Sequence, residues 1–268
     1  MIKTTRSQKI EILTKIESGK YLNDEKVWTF LLAHLIDKQT KKTKLDIVKL
    51  FTAQDITAVP DEIWFEAQPI SPRRGKKGES EGNTRIDLAF GDIGLRNDTE
   101  CGIKYNSSND WVCFVEAKLF SDCSPDTAHD PYRNQLSRVI ENLVTFQDNG
   151  AFPANTYFTL LTPRIFKEKP FSKLYGYKFF EFLDRDNLSR DFEICAIAER
   201  DDSTFQYPDK ETLMNRLKSL KLNWITYEEI FQLLLEVEFN VTDLRVELPK
   251  KLFQNMEAVK LLLQKEIE

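Results

Sequence analysis

Charged residues interrupt two short segments that otherwise have the composition of buried β-strands. Segments 85–90 and 111–120 are rich in β-branched and aromatic residues, as core strands are. The first carries Asp87, and the second carries Glu116 and Lys118. Burying an unpaired charge costs several kcal/mol. Charges in such strands therefore need either a buried ion pair or a functional site to explain them.

The positions of these charges along the second strand place them on one face. Successive side chains of a strand point to opposite faces of the sheet. Glu116 and Lys118 therefore share a face, while Val115, Ala117 and Leu119 point to the other. A buried ion pair is one explanation. Two carboxylates and an ammonium that converge at the edge of an apolar sheet are more typical of a hydrolytic site with a divalent metal, and we favour that interpretation.

The composition is that of a folded protein. At 268 residues the chain can form one large domain or two small ones, and its hydrophobic (41%) and charged (30%) fractions exclude global disorder. The N-terminal residues contain no apolar core of signal-peptide length, and no apolar run is long enough to cross a membrane. The four cysteines have no metal-binding spacing. We therefore expect a reduced, cytoplasmic protein that does not enter a membrane.

A glycine-rich basic loop precedes the strand that carries Asp87. The net charge of −5 excludes a general basic coat for nucleic acid, but not a local one. Segment 71–82 contains four cations that could neutralise phosphates near a metal site, namely Arg73, Arg74, Lys76 and Lys77. A solvated surface loop without a ligand explains the same composition equally well.

Hydrophobic periodicity predicts a mixed α/β protein. Residues 1–55 have helical periodicity, and residues 62–68 and 155–162 have strand character. Asp130 and Pro131 are typical of a helix start, and they predict a helix to about Phe146. A strand, a helix and a strand in this order predict a parallel pair. Toward the C-terminus we expect a short strand at 222–225, a helix opened by a capping box at 226–229, and a final helix from residue 250.

The order of these elements and charges resembles the PD-(D/E)xK nuclease superfamily. The matching residues are Ile86-Asp87, Glu116-Ala117-Lys118 and Gln135, within roughly residues 60–165. Ile86 replaces the proline of the motif, and the 28 residues between Asp87 and Glu116 indicate an elaborated hairpin. The resemblance implies a restriction-endonuclease-like fold, with a central mixed sheet flanked by helices in a core at 56–235. Helical extensions at 1–55 and 236–268 would complete it.

The resemblance also implies a metal site. Asp87, Glu116 and the backbone carbonyl of Ala117 would bind the ion, and hard carboxylate oxygens suit Mg²⁺, with Mn²⁺ as a substitute. Lys118 would hold the attacking water or help to deprotonate it, and would offset phosphate charge. Gln135, on the following helix, would close the site against the phosphate or a metal-bound water.

Three further residues are candidates for the same site. Glu66 is predicted to share a strand face with Trp64 and Gln68, and relatives place a third acid near this position; a solvent-facing role is equally compatible with the sequence. Arg138 lies three residues after Gln135 and should project beside it. With Arg85, it is a candidate contact to nucleic acid.

The favoured hypothesis is a metal-dependent nuclease that acts on DNA, with RNA not excluded. An endonuclease of a restriction, defence or repair system is the expected context, and the helical ends could form a homodimer interface. The alternative is a non-catalytic module that binds nucleic acid or protein on the same fold. A purely structural Asp87–Lys118 ion pair is a third hypothesis, but it leaves Glu116 and Gln135 unexplained.

Overall fold

A mixed β-sheet lies between two layers of helices. The computed structural model describes residues 1–74, 83–97, 99–107, 110–126, 130, 133–236, 238, 240–241 and 249–267. Within these residues the main sheet has eight strands, and a separate hairpin has two. The mixed α/β fold with helices around a central sheet, which the sequence predicts, is confirmed.

The helices and strands have the following bounds. The helices are α1 (Arg6–Glu17), α2 (Glu25–Asp37), α3 (Lys41–Thr52), α4 (Gln135–Val144), α5 (Arg164–Glu168), α6 (Leu174–Glu181), α7 (Arg185–Glu193), α8 (Lys210–Ser219), α9 (Tyr227–Leu235) and α10 (Lys250–Ile267). The strands are β1 (Ile2–Lys3), β2 (Ile63–Pro69), β3 (Ile86–Gly91), β4 (Ile93–Leu95), β5 (Gly102–Tyr105), β6 (Trp111–Ala117), β7 (Asn155–Thr162), β8 (Asp201–Asp202), β9 (Phe205–Gln206) and β10 (Lys221–Thr226).

Strand β6 occupies the middle of the sheet. The strand order is β10-β7-β6-β3-β2-β5-β4, and β1 pairs with the start of β2. Strands β10, β7 and β6 run parallel to one another, whereas β3 is antiparallel to both β6 and β2. Every residue of β6 is buried, because helices cover both faces of the sheet. The predicted parallel pairing of β6 with β7 is confirmed.

Each face of the sheet has its own hydrophobic core. On one face the buried side chains of α1, α2, α3, α9 and α10 pack together with Val115, Ala117 and Leu119. On the other face those of α4, α6, α7 and α8 pack with residues such as Phe114 and Phe158. The N-terminal and C-terminal helices therefore belong to the same core layer, where α1 packs directly against α10.

Helix α4 begins later than the sequence predicts. Its N-cap is Asn134, whose side chain accepts a hydrogen bond from the backbone N–H of Ser137 at 3.0 Å. The carboxylate of Asp130, the predicted cap, instead accepts from the backbone N–H of Ala196 at 3.0 Å. Pro131 lies outside the described residues. The shift makes Gln135 the first residue of the helix, next to the end of β6.

Other helix boundaries follow the sequence more closely. Asp24 caps α2, and Thr226 and Glu229 form the predicted capping box of α9. The predicted final helix is also present as α10. Helix α3 starts at Lys41, behind a Thr40 cap. The polar residues 41–44 therefore form its first turn, which the hydrophobic pattern alone does not predict.

Arg73 is buried on the face of the sheet that α4 covers, which contradicts its predicted role as a nucleic-acid contact. Its side chain is 4% exposed, and its guanidinium donates to Glu141 Oε1 from Nε at 2.9 Å and from Nη2 at 2.6 Å. Tyr207 donates to the same oxygen, and the guanidinium of Arg133 lies against Glu141 Oε2. Burial by itself would raise the pKa of Glu141, but Arg133 and Arg73 hold it below its usual value. We call these four residues the Glu141 cluster.

The Glu141 cluster predicts a large stability difference between two carboxylate variants. Glu141→Gln removes the buried negative charge that two buried guanidinium groups share and should lower the free energy of unfolding by roughly 3–5 kcal/mol. Glu199→Gln also removes a carboxylate near Arg73, at 3.9 Å, but that side chain is 57% exposed and its loss should change stability by about 0.5 kcal/mol or less. Urea unfolding measures both values.

The difference in stability between wild type and Glu141→Gln should also depend on pH. The pKa of Glu141 is lower in the folded protein than in the unfolded chain, so its contribution is complete at neutral pH and is lost as the pH falls through the folded-state value. Wild type and Glu141→Gln should therefore converge in stability under acid. Equal losses from Glu141→Gln and Glu199→Gln at neutral pH would contradict this account of the cluster.

Candidate active site

The pairing of β3 with β6 brings Asp87 and Glu116 together. Leu88 pairs with Val115 across these antiparallel strands, so Asp87 lies level with Glu116 one residue further on. Asp87 is the second residue of β3, Glu116 is the last but one of β6, and Lys118 follows the end of β6. The three charges therefore lie where β3 begins and β6 ends. Both are interior strands of the sheet, not edge strands.

Glu116 is fully buried, and only one of its oxygens is hydrogen-bonded. Its Oε1 accepts from Lys118 Nζ at 2.7 Å and from Gln135 Nε2 at 2.6 Å. Its Oε2 is buried and has no hydrogen-bond partner among the described residues. Burial raises the pKa of Glu116, although Lys118 acts in the opposite direction. A buried carboxylate oxygen without a donor is costly, and a bound cation would remove that cost.

Asp87 completes a pair of carboxylates. Its Oδ2 accepts from the backbone N–H of Ala117 at 2.7 Å, which fixes the side chain beside β6. Burial and the nearby charge of Glu116 raise the pKa of Asp87 well above its usual value. This shift is the expected result of two neighbouring carboxylates that share too little positive charge.

Lys118 supplies positive charge to this site and is held by a residue that the sequence analysis missed. The Lys118 Nζ atom lies 3.3 Å from the carboxylate of Glu25, on α2. Glu25 also accepts from the backbone N–H of Leu119 at 2.8 Å and from Ser121 Oγ at 2.7 Å. Burial alone would lower the pKa of Lys118, but Glu116, Asp87 and Glu25 raise it well above its usual value. Lys118 is therefore a cation at neutral pH.

In the sequence, Glu25 looks like an ordinary helix start. Asp24 caps α2, and an acidic residue in the first turn is favoured by the helix dipole alone. Its partners, Lys118 and Ser121, are more than 90 residues away. No local sequence pattern could therefore predict this contact.

Glu66 has an unusual backbone conformation, and its carboxylate is close enough to Asp87 and Glu116 to raise the pKa of both. Its φ of 55° lies in the left-handed region, which is rare for a residue other than glycine within a strand. The predicted alternation therefore fails at this point: Trp64 and Ala67 share one core, although they are three residues apart. The Glu66 carboxylate instead lies 3.9 Å from Lys26 Nζ and 3.6 Å from Arg85 Nη1. Burial raises its pKa, and these two cations act against the rise.

The residues present fit a hard divalent cation held mainly by two side chains. In the described part of the chain, no group of three or more His, Cys, Asp or Glu residues could hold a metal ion by itself. Asp87 and Glu116 nevertheless offer a pair of carboxylates with raised pKa values and one unpartnered oxygen. Mg²⁺ commonly binds through one or two carboxylates and keeps several waters. The donor set is therefore compatible with Mg²⁺ and poor for zinc.

The predicted nucleic-acid contacts fall into four groups. Arg85 is about half exposed beside Glu66, and Arg138 donates to Thr84 Oγ1 at 2.8 Å, three residues before Asp87. Arg74 is 60% exposed but is paired with Asp202 at 2.7 Å. Arg73 is buried in the Glu141 cluster, as described above. Two further predicted contacts, Lys76 and Lys77, lie outside the described residues.

Comparison with known proteins gives no assignment. No protein-family model, curated protein or solved structure matches the chain significantly. Among the described residues, no helix is both long enough and apolar enough to cross a membrane.

The charges of the site predict opposite effects of two conservative variants in the presence of a chelator. Asp87→Asn keeps an oxygen that can accept from Ala117 and removes a carboxylate from a repulsive pair, so the unfolding temperature should hold or rise. Lys118→Met keeps most of the aliphatic chain but leaves Glu116 without its cation, so it should lower stability by several kcal/mol. Thermal unfolding of wild type and both variants in EDTA measures these shifts. A large loss from Asp87→Asn would mean that its charge is structural.

Proposed function

We propose that this protein is a divalent-metal-dependent nuclease that hydrolyses phosphodiester bonds of DNA. The observation that carries the proposal is the half-satisfied carboxylate of Glu116. It is buried beside Asp87, with Oε1 held by Lys118 and Gln135 and with Oε2 lacking a partner among the described residues. This arrangement supports a site that is complete only with a cation and a substrate.

Asp87 and Glu116 would hold the ion, together with the Ala117 carbonyl that the family resemblance implies. When bound, Mg²⁺ supplies positive charge that polarises a phosphoryl oxygen and lowers the pKa of a coordinated water. The chain fixes the two carboxylates before the ion arrives. The backbone N–H of Ala117 holds Asp87, and Gln135 and Lys118 hold Glu116.

Of the two roles that the sequence leaves open for Lys118, the surrounding carboxylates favour the electrostatic one. Against the effect of burial, Glu116, Asp87 and Glu25 raise the pKa of Lys118 and so stabilise its charged form. Its ammonium is suited to orient the attacking water by hydrogen bonding, and to offset the negative charge that develops on the phosphate. Glu25 is a positioning residue in this proposal, because it fixes Lys118 and the backbone of Leu119.

Gln135 and the exposed arginine beside Glu66 would act on the substrate side. The Gln135 amide bonds Glu116 while its Oε1 accepts from the backbone N–H of Ser124 at 3.4 Å. The side chain thereby ties the start of α4 to the loop after β6. Arg85 and Arg138 provide positive charge near Asp87 for the DNA backbone, with RNA as a second possible substrate.

Cleavage of plasmid DNA with purified protein tests the proposal. Wild type should nick or linearise the plasmid with Mg²⁺ or Mn²⁺ and should be inactive in EDTA. Asp87→Asn and Lys118→Met should each lower the cleavage rate by at least about a hundredfold, as removal of one electrostatic group from a preorganised site commonly does. Glu168→Gln, which changes an exposed carboxylate on α5, is the matched control and should retain full activity.

Metal binding separates the two inactive variants. Mn²⁺ should raise the unfolding temperature of wild type and of Lys118→Met, because a ligand that binds only the native state stabilises it. The rise should be absent in Asp87→Asn, which lacks a ligand. DNA binding without cleavage, and without any Mn²⁺ response, would favour the non-catalytic binding module. No metal response together with a large stability loss from both variants would favour a structural ion-pair network.

A further inference from the structure

A cavity lies beyond the end of β2, on the side of the sheet that carries β4 and β5. It has a volume of about 390 Å³, and its lining includes two arginines, Lys104 with its carboxylate partner Asp148, and the hydroxyl residues Ser203 and Thr204. The arginines are Arg96, which follows β4, and Arg200, which precedes the β8–β9 hairpin. We call this cavity the Arg96 pocket.

Arg96 lacks a counter-charge among the residues that the structure describes. The one hydrogen bond of its guanidinium there is a long one, from Nη2 to the backbone carbonyl of Gln68 at 3.4 Å. The side chain is partly exposed, but its Nε is buried and has no acceptor in the described part of the chain. A buried N–H group without an acceptor carries a cost that a bound anion would remove.

A second arginine adds further positive charge beside the pocket. Arg200 shares the Asp202 carboxylate with Arg74, at 3.4 Å and 2.7 Å respectively, and the Nε of Arg200 is also buried without an acceptor among the described residues. Burial lowers the pKa of Arg96, and the charge of Arg200 lowers it further. Two arginines that repel each other beside one cavity form the usual basis of a site for a multiply hydrogen-bonded anion.

The backbone is shaped to admit the Arg96 guanidinium. Gly102 lies against it, and a Cβ atom at that position would come within 2.6 Å of Arg96 Nη2 and 2.8 Å of Arg96 Nε. Glycine at position 102 therefore permits a close approach that any other residue would displace. A Cβ atom at position 102 would also meet Thr99 Oγ1 at 2.5 Å, so glycine leaves room for both side chains.

The geometry points to the Arg96 pocket as a binding site for a phosphate group of the nucleic-acid backbone. Arg96 and Arg200 provide planar donors for phosphate oxygens, while Ser203 and Thr204 add hydroxyl groups at the wall. Lys104 also lines the pocket, but its charge is paired with Asp148 at 2.9 Å. The assignment of this phosphate to nucleic acid rests on the proposed nuclease function, whereas the proposal of an anion site does not.

The sheet connects this pocket to the candidate active site. Gln68, whose carbonyl contacts Arg96, lies two residues after Glu66 on β2 and pairs with Gly102 on β5. A nucleic-acid strand at the Asp87–Glu116 site could therefore extend along the end of β2 toward Arg96. The pocket would fix the register of the backbone without contacting a base.

Inorganic phosphate is the first probe. Phosphate should raise the unfolding temperature of wild type above that in chloride of equal ionic strength. The rise should disappear in Arg96→Gln, and in Gly102→Ala, which displaces the guanidinium without changing the charge. Arg190→Gln, an exposed arginine on α7, is the matched control and should respond as wild type does. A rise that persists in Arg96→Gln and Gly102→Ala would overturn the site.

Oligonucleotide binding in EDTA is the second probe, and it needs no cleavage. Arg96→Gln and Gly102→Ala should weaken binding several-fold, and Arg96→Gln should reduce the slope of log affinity against log salt by about 1. Arg190→Gln should leave affinity and slope unchanged.

The two probes separate the site from the proposed function. A phosphate response that is lost in Arg96→Gln, with unchanged oligonucleotide affinity, would overturn the assignment to nucleic acid. Failure of wild type to cleave DNA would refute the nuclease proposal and leave both binding measurements interpretable.

Discussion

The candidate site depends on one buried carboxylate at the centre of the sheet. Glu116 lies on β6, which helices cover on both faces, so its charge must be balanced by groups brought from other elements. Lys118 and Gln135 meet its Oε1, and Glu25 in turn holds Lys118. The first residues of α2 and α4 thus converge on the end of β6. The side chains that surround Glu116 are fixed by the same packing that forms the two cores.

Much of this arrangement could be predicted from local patterns. The apolar composition of β3 and β6 identifies both strands, and their alternation places Val115, Ala117 and Leu119 in one core. The position of Gln135 beside Glu116 is implied by the family resemblance and not by the local pattern, which places the helix start at Asp130. The predictions from local patterns succeed because a hydrophobic period of two residues in a strand, or of 3.6 in a helix, indicates which face of the element is buried.

The features that escaped prediction have no local signature. Glu66 adopts a left-handed backbone that reverses strand alternation, and nothing in its neighbours' identities demands this. Arg73 sits in a glycine-rich basic segment, yet its charge is neutralised by Glu141, 68 residues away. Glu25 contacts Lys118, just after the end of β6, across 93 residues of sequence. Each case is a pairing decided by tertiary structure, which composition and short spacing do not encode.

Two fully buried glutamates of this protein differ in how their charge is balanced. Glu141 and Glu116 are both fully buried. Glu141 Oε1 accepts from Arg73 and Tyr207, and its Oε2, which accepts no hydrogen bond in the described part of the chain, forms an ion pair with Arg133, so the pKa of Glu141 lies below the usual value. One oxygen of Glu116 lacks a partner in the described structure, a second carboxylate stands beside it, and its pKa is raised. A charge buried for stability should resemble Glu141, because folding favours complete pairing. The difference is the net negative charge beside Glu116, and that charge is what the proposed cation site would neutralise.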